Sequence, residues 1–318
     1  MAMTTEPRSD RDVTAIDQST GRVGDVVFAG LARSSGLLIM LALAGVAVFL
    51  VVQGSGALGN TGDAVYGKDS IWGYVWPLLF GTLLASVIAM VIAAPLAIGV
   101  ALIISHYAPR PVAKTLGWLI DLLAAIPSVV YGLWGINFLA LNLVPAYDWL
   151  QRNAGWIPFF EGPVPNSGRT MLTAGIVLAV MALPIITAIC REVFAQTPTM
   201  HQEAALALGA TRWEMIRMTV FPYARSGMIS AVLLGLGRAL GETMAVALVL
   251  APSLLVSFNL ITAEQSSSTI AANIALNFGN ASGAKIDTLI FTGLVLFIIT
   301  FAVNFLGRAI AVRGVAKG

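Results

Sequence analysis

The sequence predicts an all-α polytopic membrane protein with six transmembrane helices and both termini on the cytoplasmic side. Three observations carry that prediction. Hydrophobic residues make up 58% of the chain and charged residues only 11%, where a soluble domain carries roughly a quarter charged residues. The apolar residues are gathered into runs close to the ~20 residues a helix needs to cross the hydrocarbon. The basic residues fall almost entirely at one set of run ends, which fixes orientation.

The elements follow in order. Residues 1–33 are polar and mixed in charge, and are expected to form a partly disordered cytoplasmic tail with a short amphipathic segment near 23–31. The tail lacks the apolar core of a signal peptide. A transmembrane domain is expected over residues 34–313, with spans at 36–52, 75–105, 115–144, 171–189, 227–255 and 289–310, followed by a cytoplasmic tail at 314–318. With the N-terminus inside, the cytoplasmic side receives Arg8, Arg11, Arg22, Arg33, Arg110, Lys114, Arg191, Arg212, Arg217, Arg225, Arg308, Arg313 and Lys317. The exterior receives only Lys68, Arg152, Arg169 and Lys285. The exterior connections are then residues 53–74, 145–170 and 256–288. The second carries Trp149, Trp156, Phe159 and Phe160, which suit an interfacial anchor. The third has weak helical character from Thr269 to Ala275 and is expected along the membrane surface.

Several signals of chemistry dissolve on inspection. A net charge of +2 is too small to imply nucleic acid, and the lone Cys190 excludes an internal disulfide. His106 and His201 flank membrane ends and read as interfacial or loop residues. The stretch Gly62-Asp63-Ala64-Val65-Tyr66-Gly67-Lys68 approaches a P-loop, but Asp69 stands where Ser or Thr must hold magnesium and no strand precedes it. The glycines of Gly235-Leu236-Gly237-Arg238-Ala239-Leu240-Gly241 suit close helix contacts rather than a dinucleotide fold. The chain is therefore not expected to hydrolyse ATP or to hold a cofactor or metal of its own.

Charge inside the apolar runs is more telling. Arg238 and Glu242 fall in the fifth run, with Arg238 roughly 16 Å along a helix counted from Gly227 at 1.5 Å per residue. An intramembrane arginine costs at least ~2.5 kcal/mol and should face protein or a wet path. Glu242, four residues on, is within pairing reach. Two readings stay open: a structural ion pair, or a substrate path that binds or gates an anion, for which the planar guanidinium is suited. In the third run, Asp121 is either a second pathway charge or a partner of Lys114, and Pro127 is expected to kink the helix by leaving the Leu123 carbonyl without its N–H. Pro95 and Pro184 are further candidate kinks.

Between the fourth and fifth runs lies a charged island, residues 191–225, holding Arg191, Glu192, Glu203, Arg212, Glu214, Arg217 and Arg225. Such a concentration beside one membrane face suits docking to a soluble partner. Within it, Glu203-Ala204-Ala205, Gly209 and Phe221-Pro222 resemble the EAA loop of bacterial ABC importer permeases, with departures from the pattern at Thr219 and Phe221. The resemblance implies a type I ABC importer permease architecture in the bacterial cytoplasmic (inner) membrane. It also implies that Glu203, Ala204, Ala205 and Gly209 form a coupling helix and turn docked on a separate ATPase subunit. The stretches GLGRALGETMAV from Gly235 and DLLAAIPSVVYG from Asp121 are similar to those of phosphate-importer permeases, and similarity extends over about residues 24–313. That likeness implies Arg238 and Glu242 in phosphate translocation. Its implied partners are a second permease, an ATPase dimer that binds ATP and Mg, an extracytoplasmic phosphate-binding protein and membrane lipid. The alternatives are an importer for sulfate, molybdate or an organic solute, a passive anion channel, and an intramembrane enzyme. The enzyme reading lacks a His/Asp/Glu constellation of catalytic spacing.

Overall fold

The computed structural model describes residues 23–251, 253–262 and 267–315. Expectations for residues 1–22 and 316–318 lie outside the described residues. The chain divides into two compact units, residues 1–49 and 50–318. Helix α1 (Val23–Ser55) begins the described chain. Residues 23–31 are its opening turns rather than a separate amphipathic segment: the helix is continuous from Val23 to Ser55, and no proline interrupts it. Up to Phe49 this helix exposes large apolar side chains on all sides, Phe28, Leu38 and Met40 among them. A surface of that kind is suited to lipid or to another subunit.

In the second unit, after the last turns of α1 and two short 3-10 turns, comes α2 (Ile71–Leu102), prolonged by a π turn at Ile103–Tyr107. Then come α3 (Arg110–Ala124), α4 (Ser128–Trp134) and α5 (Ala140–Ala154), the last two joined by a π turn at Gly135–Leu139. Next are α6 (Met171–Ala195), α7 (Thr199–Ala207) and α8 (Arg212–Met215), which runs through a π turn at Ile216–Val220 into α9 (Phe221–Leu240). The chain closes with α10 (Met244–Val249), α11 (Ile270–Asn277) and α12 (Ala284–Val315). Among the described residues, six helices are long and apolar enough to cross a membrane, at Gly24–Gly59, Ile71–Tyr107, Ser128–Ala154, Met171–Ala195, Arg212–Leu240 and Ala284–Ile310.

The core forms on α2 and α6. Ala85, Ala89, Ala93, Ala97 and Ala101 recur every fourth residue and are fully buried, giving α2 a smooth ridge. Small side chains of this kind let helix backbones approach closely in a membrane protein. Ile88 packs on Gly175, and the Thr187 hydroxyl donates to the Ala97 carbonyl at 3.4 Å. These two contacts advance together along both helices, so α2 and α6 run parallel and end at the same face. A second apolar cluster gathers at the opposite end, where Tyr74, Val75 and Leu78 meet Ile270, Phe291 and Val295.

Three expectations change. The run 115–144 is not one kinked span: α3 ends at Ala124 and a new helix starts at Ser128. A proline disfavours the helical region for the residue before it, and Pro127 offers no N–H, so here the helix stops rather than bends. By contrast α2 and α6 continue through Pro95 and Pro184. The run 227–255 is also interrupted. Its helix stops at Leu240, the short α10 follows, and from Leu250, itself extended, the described chain is not helical again until α11. Finally, α11 is not a free-lying helix but packs its first turn into the bundle. Ile270, Ala271, Ala272 and Asn273 are buried, and the Ile270 N–H donates to the Thr82 hydroxyl at 2.9 Å.

Candidate substrate pathway and coupling surface

The two interruptions lie against each other. At the first, the Leu123 carbonyl, which Pro127 deprives of its regular helical partner, accepts from the Ile126 N–H at 3.3 Å and from the Tyr131 hydroxyl at 2.8 Å. At the second, Gly241 ends α9, and the Glu242 carboxylate accepts from the Ala245 N–H at 3.1 Å, opening α10. A carboxylate over a helix start satisfies an orphan donor and complements the positive end of the helix. Between the two, α4 presses on α10 so closely that a Cβ on Gly132 would sit 2.8 Å from Ala245 Cα. Sequence reasoning did not single out Tyr131, although a hydroxyl residue four places beyond a mid-run proline was the available signal.

This geometry separates Arg238 from Glu242. Glu242 is only 8% exposed and turned toward the α10 backbone. Arg238, in the last turn of α9, is exposed. No ion pair joins the two among the described residues, because Gly241 ends the helix before Glu242 can occupy the next turn of the same face. The expected mutual pairing is thus replaced by a cap and an uncompensated cation. A cation at a helix C-terminus is favoured by the macrodipole. The guanidinium borders a cleft of about 550 Å³ lined also by Ile185, Leu233, Leu234, Gly237 and Asn304. Gly227 and Arg238 lie on one continuous helix, as the count along the run assumed; what differs is that this helix ends at Leu240, just beyond the arginine.

Asp121 pairs with Arg191 and not with Lys114. One Arg191 amine reaches both carboxylate oxygens at 3.2 Å, with side chains 28% and 55% exposed for Arg191 and Asp121. Arg191 comes from α6 and crosses α3 at Gly117, where any Cβ would collide with the guanidinium. One member of the charged island is therefore spent on an intrachain contact, which no local spacing revealed.

The rest of the island is built as expected. Glu203, Ala204 and Ala205 lie in α7, with Glu203 and Ala204 exposed and Ala205 buried. Gly209 follows with φ +87°, a left-handed conformation that glycine adopts without strain. Thr211 and Glu214 then form a reciprocal capping box that starts α8. Met200 and Leu208, 78% and 90% exposed, give this polar surface two apolar projections.

The family of binding-protein-dependent transport system inner membrane components matches residues 93–313, and the chain belongs to that family. Its similarity to individual members extends further. "Phosphate transport system permease protein PstC 2" of Mycobacterium bovis is 42% identical over 97% of this chain and 98% of its own length. The PstC protein of Mesorhizobium japonicum is 36% identical over 96% of this chain and 94% of its own. Among solved structures, a bacterial alginate ABC transporter in complex with a pentasaccharide-bound periplasmic protein superposes with a TM-score of 0.57. That match covers 91% of this chain and 95% of the other at 16% identity, and so speaks to the fold: an ABC importer permease.

Proposed function

We infer that this chain is the permease subunit of an ATP-driven importer of inorganic phosphate, forming half of the translocation path. The observation that carries the reading is the exposed guanidinium of Arg238 beside a cleft, with no ion pair among the described residues, in a chain whose full-length relatives are named phosphate permeases. Arginine presents a planar fork of donors that matches phosphate oxygens. Glu242, held on the α10 backbone, shapes the break that leaves Arg238 free; it is a positioning residue. Asp121 serves the path indirectly, by anchoring α3 through Arg191.

The chain's share of the energy coupling falls to α7. Glu203, Ala204, Ala205 and the Gly209 turn present a short helix to a PstB-like ATPase dimer, which binds the ATP and Mg; the permease has no ATPase site of its own. A PstA-like second permease completes the path, and a PstS-like extracytoplasmic protein delivers phosphate to the opposite end. Closure of the ATPase pair on ATP moves the coupling helices and rocks the spans about the Arg238 cleft. The setting is the bacterial inner membrane, with the island on the cytoplasmic side as the basic residues indicate.

Uptake of radiolabelled phosphate into proteoliposomes holding the whole importer tests the reading. Competition by phosphate analogues but not by sulfate or molybdate is expected. Sulfate-selective uptake would assign another oxyanion, and flux that survives removal of the ATPase would make the path a passive channel.

A further inference from the structure

The P-loop-like stretch that binds no nucleotide has a fold of its own. Gly62 and Lys68 pair backbone to backbone, with the Gly62 N–H donating to the Lys68 carbonyl at 3.0 Å and the Gly67 N–H to the Gly62 carbonyl at 2.8 Å. This closed turn holds Tyr66 at φ 56°, the single non-glycine residue with positive φ among those described. Such backbone strain persists only where surrounding structure fixes it, and it clusters at functional positions. Here it lays the Tyr66 ring on Tyr74, with centroids 5.1 Å apart and planes 10° from parallel.

The strained turn borders a cleft of about 420 Å³ at the end of the bundle remote from α7. Tyr66, Lys68, Tyr74, Ser268, Asn273 and Asn277 supply its polar wall. Lys68 gives one N–H to the Leu254 carbonyl at 3.4 Å, which leaves two for a guest. Tyr74 accepts from the Asn273 amide at 2.6 Å, so its own proton is free to point elsewhere. Burial pushes the Tyr66 phenol above its ordinary pKa, against the opposing pull of Lys285, so it remains a donor at neutral pH. Among the described residues no carboxylate lines the cleft, and the nearby Asp63 is held by Lys285 at 3.0 Å. One cation, several hydroxyl and amide donors and, among the described residues, no lining carboxylate suit a small tetrahedral oxyanion.

We propose that this cleft is an entry site where phosphate is held between leaving the delivery protein and reaching Arg238, with Lys68 as its cation and Tyr66 as its fixed donor. The proposal rests on the phosphate-importer reading above and adds a station to it. Its test uses the whole importer in proteoliposomes, with radiolabelled inorganic phosphate and saturating binding protein. Lys68→Gln is expected to lower the uptake rate about tenfold, the scale of one charge-assisted hydrogen bond. Lys68→Arg restores most of it, and Tyr66→Phe, which keeps the turn, gives a smaller loss. Docking of the binding protein, measured by co-sedimentation with the vesicles, and basal ATP hydrolysis stay unchanged in all three. Wild-type uptake in Lys68→Gln, or a loss fully explained by weakened docking, overturns the entry site alone. A wild-type importer that moves no phosphate overturns the substrate reading and the entry site together.

Discussion

The break at Pro127 and the break at Gly241 interrupt two helices that hydropathy alone would run straight through, and they are mended in opposite ways. Proline removes a donor, so the first leaves a carbonyl, on Leu123, and a hydroxyl from Tyr131 fills the gap. The second starts a new helix, so it leaves donors, and the Glu242 carboxylate takes the Ala245 N–H. One break is thus closed by a neutral group and the other by an acid. Only the second determines where a neighbouring charge goes: with Glu242 committed to the backbone, Arg238 has no ion pair among the described residues. The lesson is that an intramembrane acid four residues from a base need not pair with it when a helix ends between them.

Substitutions around the two breaks test this contrast. The largest effect is expected at Arg238: Arg238→Gln should lower phosphate uptake by the whole importer about a hundredfold, two charge-assisted bonds at roughly 1.5–3 kcal/mol each being more than enough. The permease should still assemble, which co-purification with its partners would check. Uptake near the wild-type rate would remove Arg238 from the path. Next comes the contact between the breaks. Gly132→Ala places a methyl 2.8 Å from Ala245 Cα, against backbone that cannot yield as a side chain would. A loss of about 1–3 kcal/mol is expected, read as a lower unfolding midpoint in detergent.

Glu242 separates capping from charge. Glu242→Ala should destabilise by about 1 kcal/mol through the lost cap, while Glu242→Gln, which retains an acceptor oxygen, should recover much of it. If Glu242→Gln instead matched Glu242→Ala in stability, the carboxylate would be acting through its charge on something other than the Ala245 N–H. The smallest of these effects is expected from Tyr131→Phe, which leaves the Leu123 carbonyl to the weaker Ile126 N–H at 3.3 Å. About 0.5 kcal/mol is expected, the low end for a hydrogen bond, because the Ile126 N–H still serves the carbonyl. An unchanged unfolding midpoint would show that the proline break needs no mending.

Much of this architecture was legible in the sequence. The number of spans was legible, six among the described residues, although the third and fifth are offset from their apolar runs, and Glu203-Ala204-Ala205 followed by Gly209 forms a short helix closed by a left-handed turn. What escaped was decided by contacts rather than by composition. Hydropathy is blind to where a helix stops, so residues such as Ala125 and Gly241 read as the interior of a span. Lys114 was the natural partner for Asp121 along the chain, yet the partner came from another helix, at a sequence distance of 70 residues. The alanine ridge from Ala85 to Ala101 was written plainly at intervals of four, but intervals become a packing face only once a second helix is laid on them.

The Asp121–Arg191 contact has a further consequence. Helix α3 buries only Gly117 and Ile120 among its own residues, so apolar burial contributes little to its seating. A half-exposed ion pair contributes up to about 1 kcal/mol and weakens as counter-ions accumulate. Ionic strength is then expected to act as a selective solvent handle: raising salt should loosen α3, seen as faster amide exchange along Arg110–Ala124, while the α2–α6 pair keeps its protection. Equal salt response in both would mean that α3 is seated by something other than its one electrostatic tether.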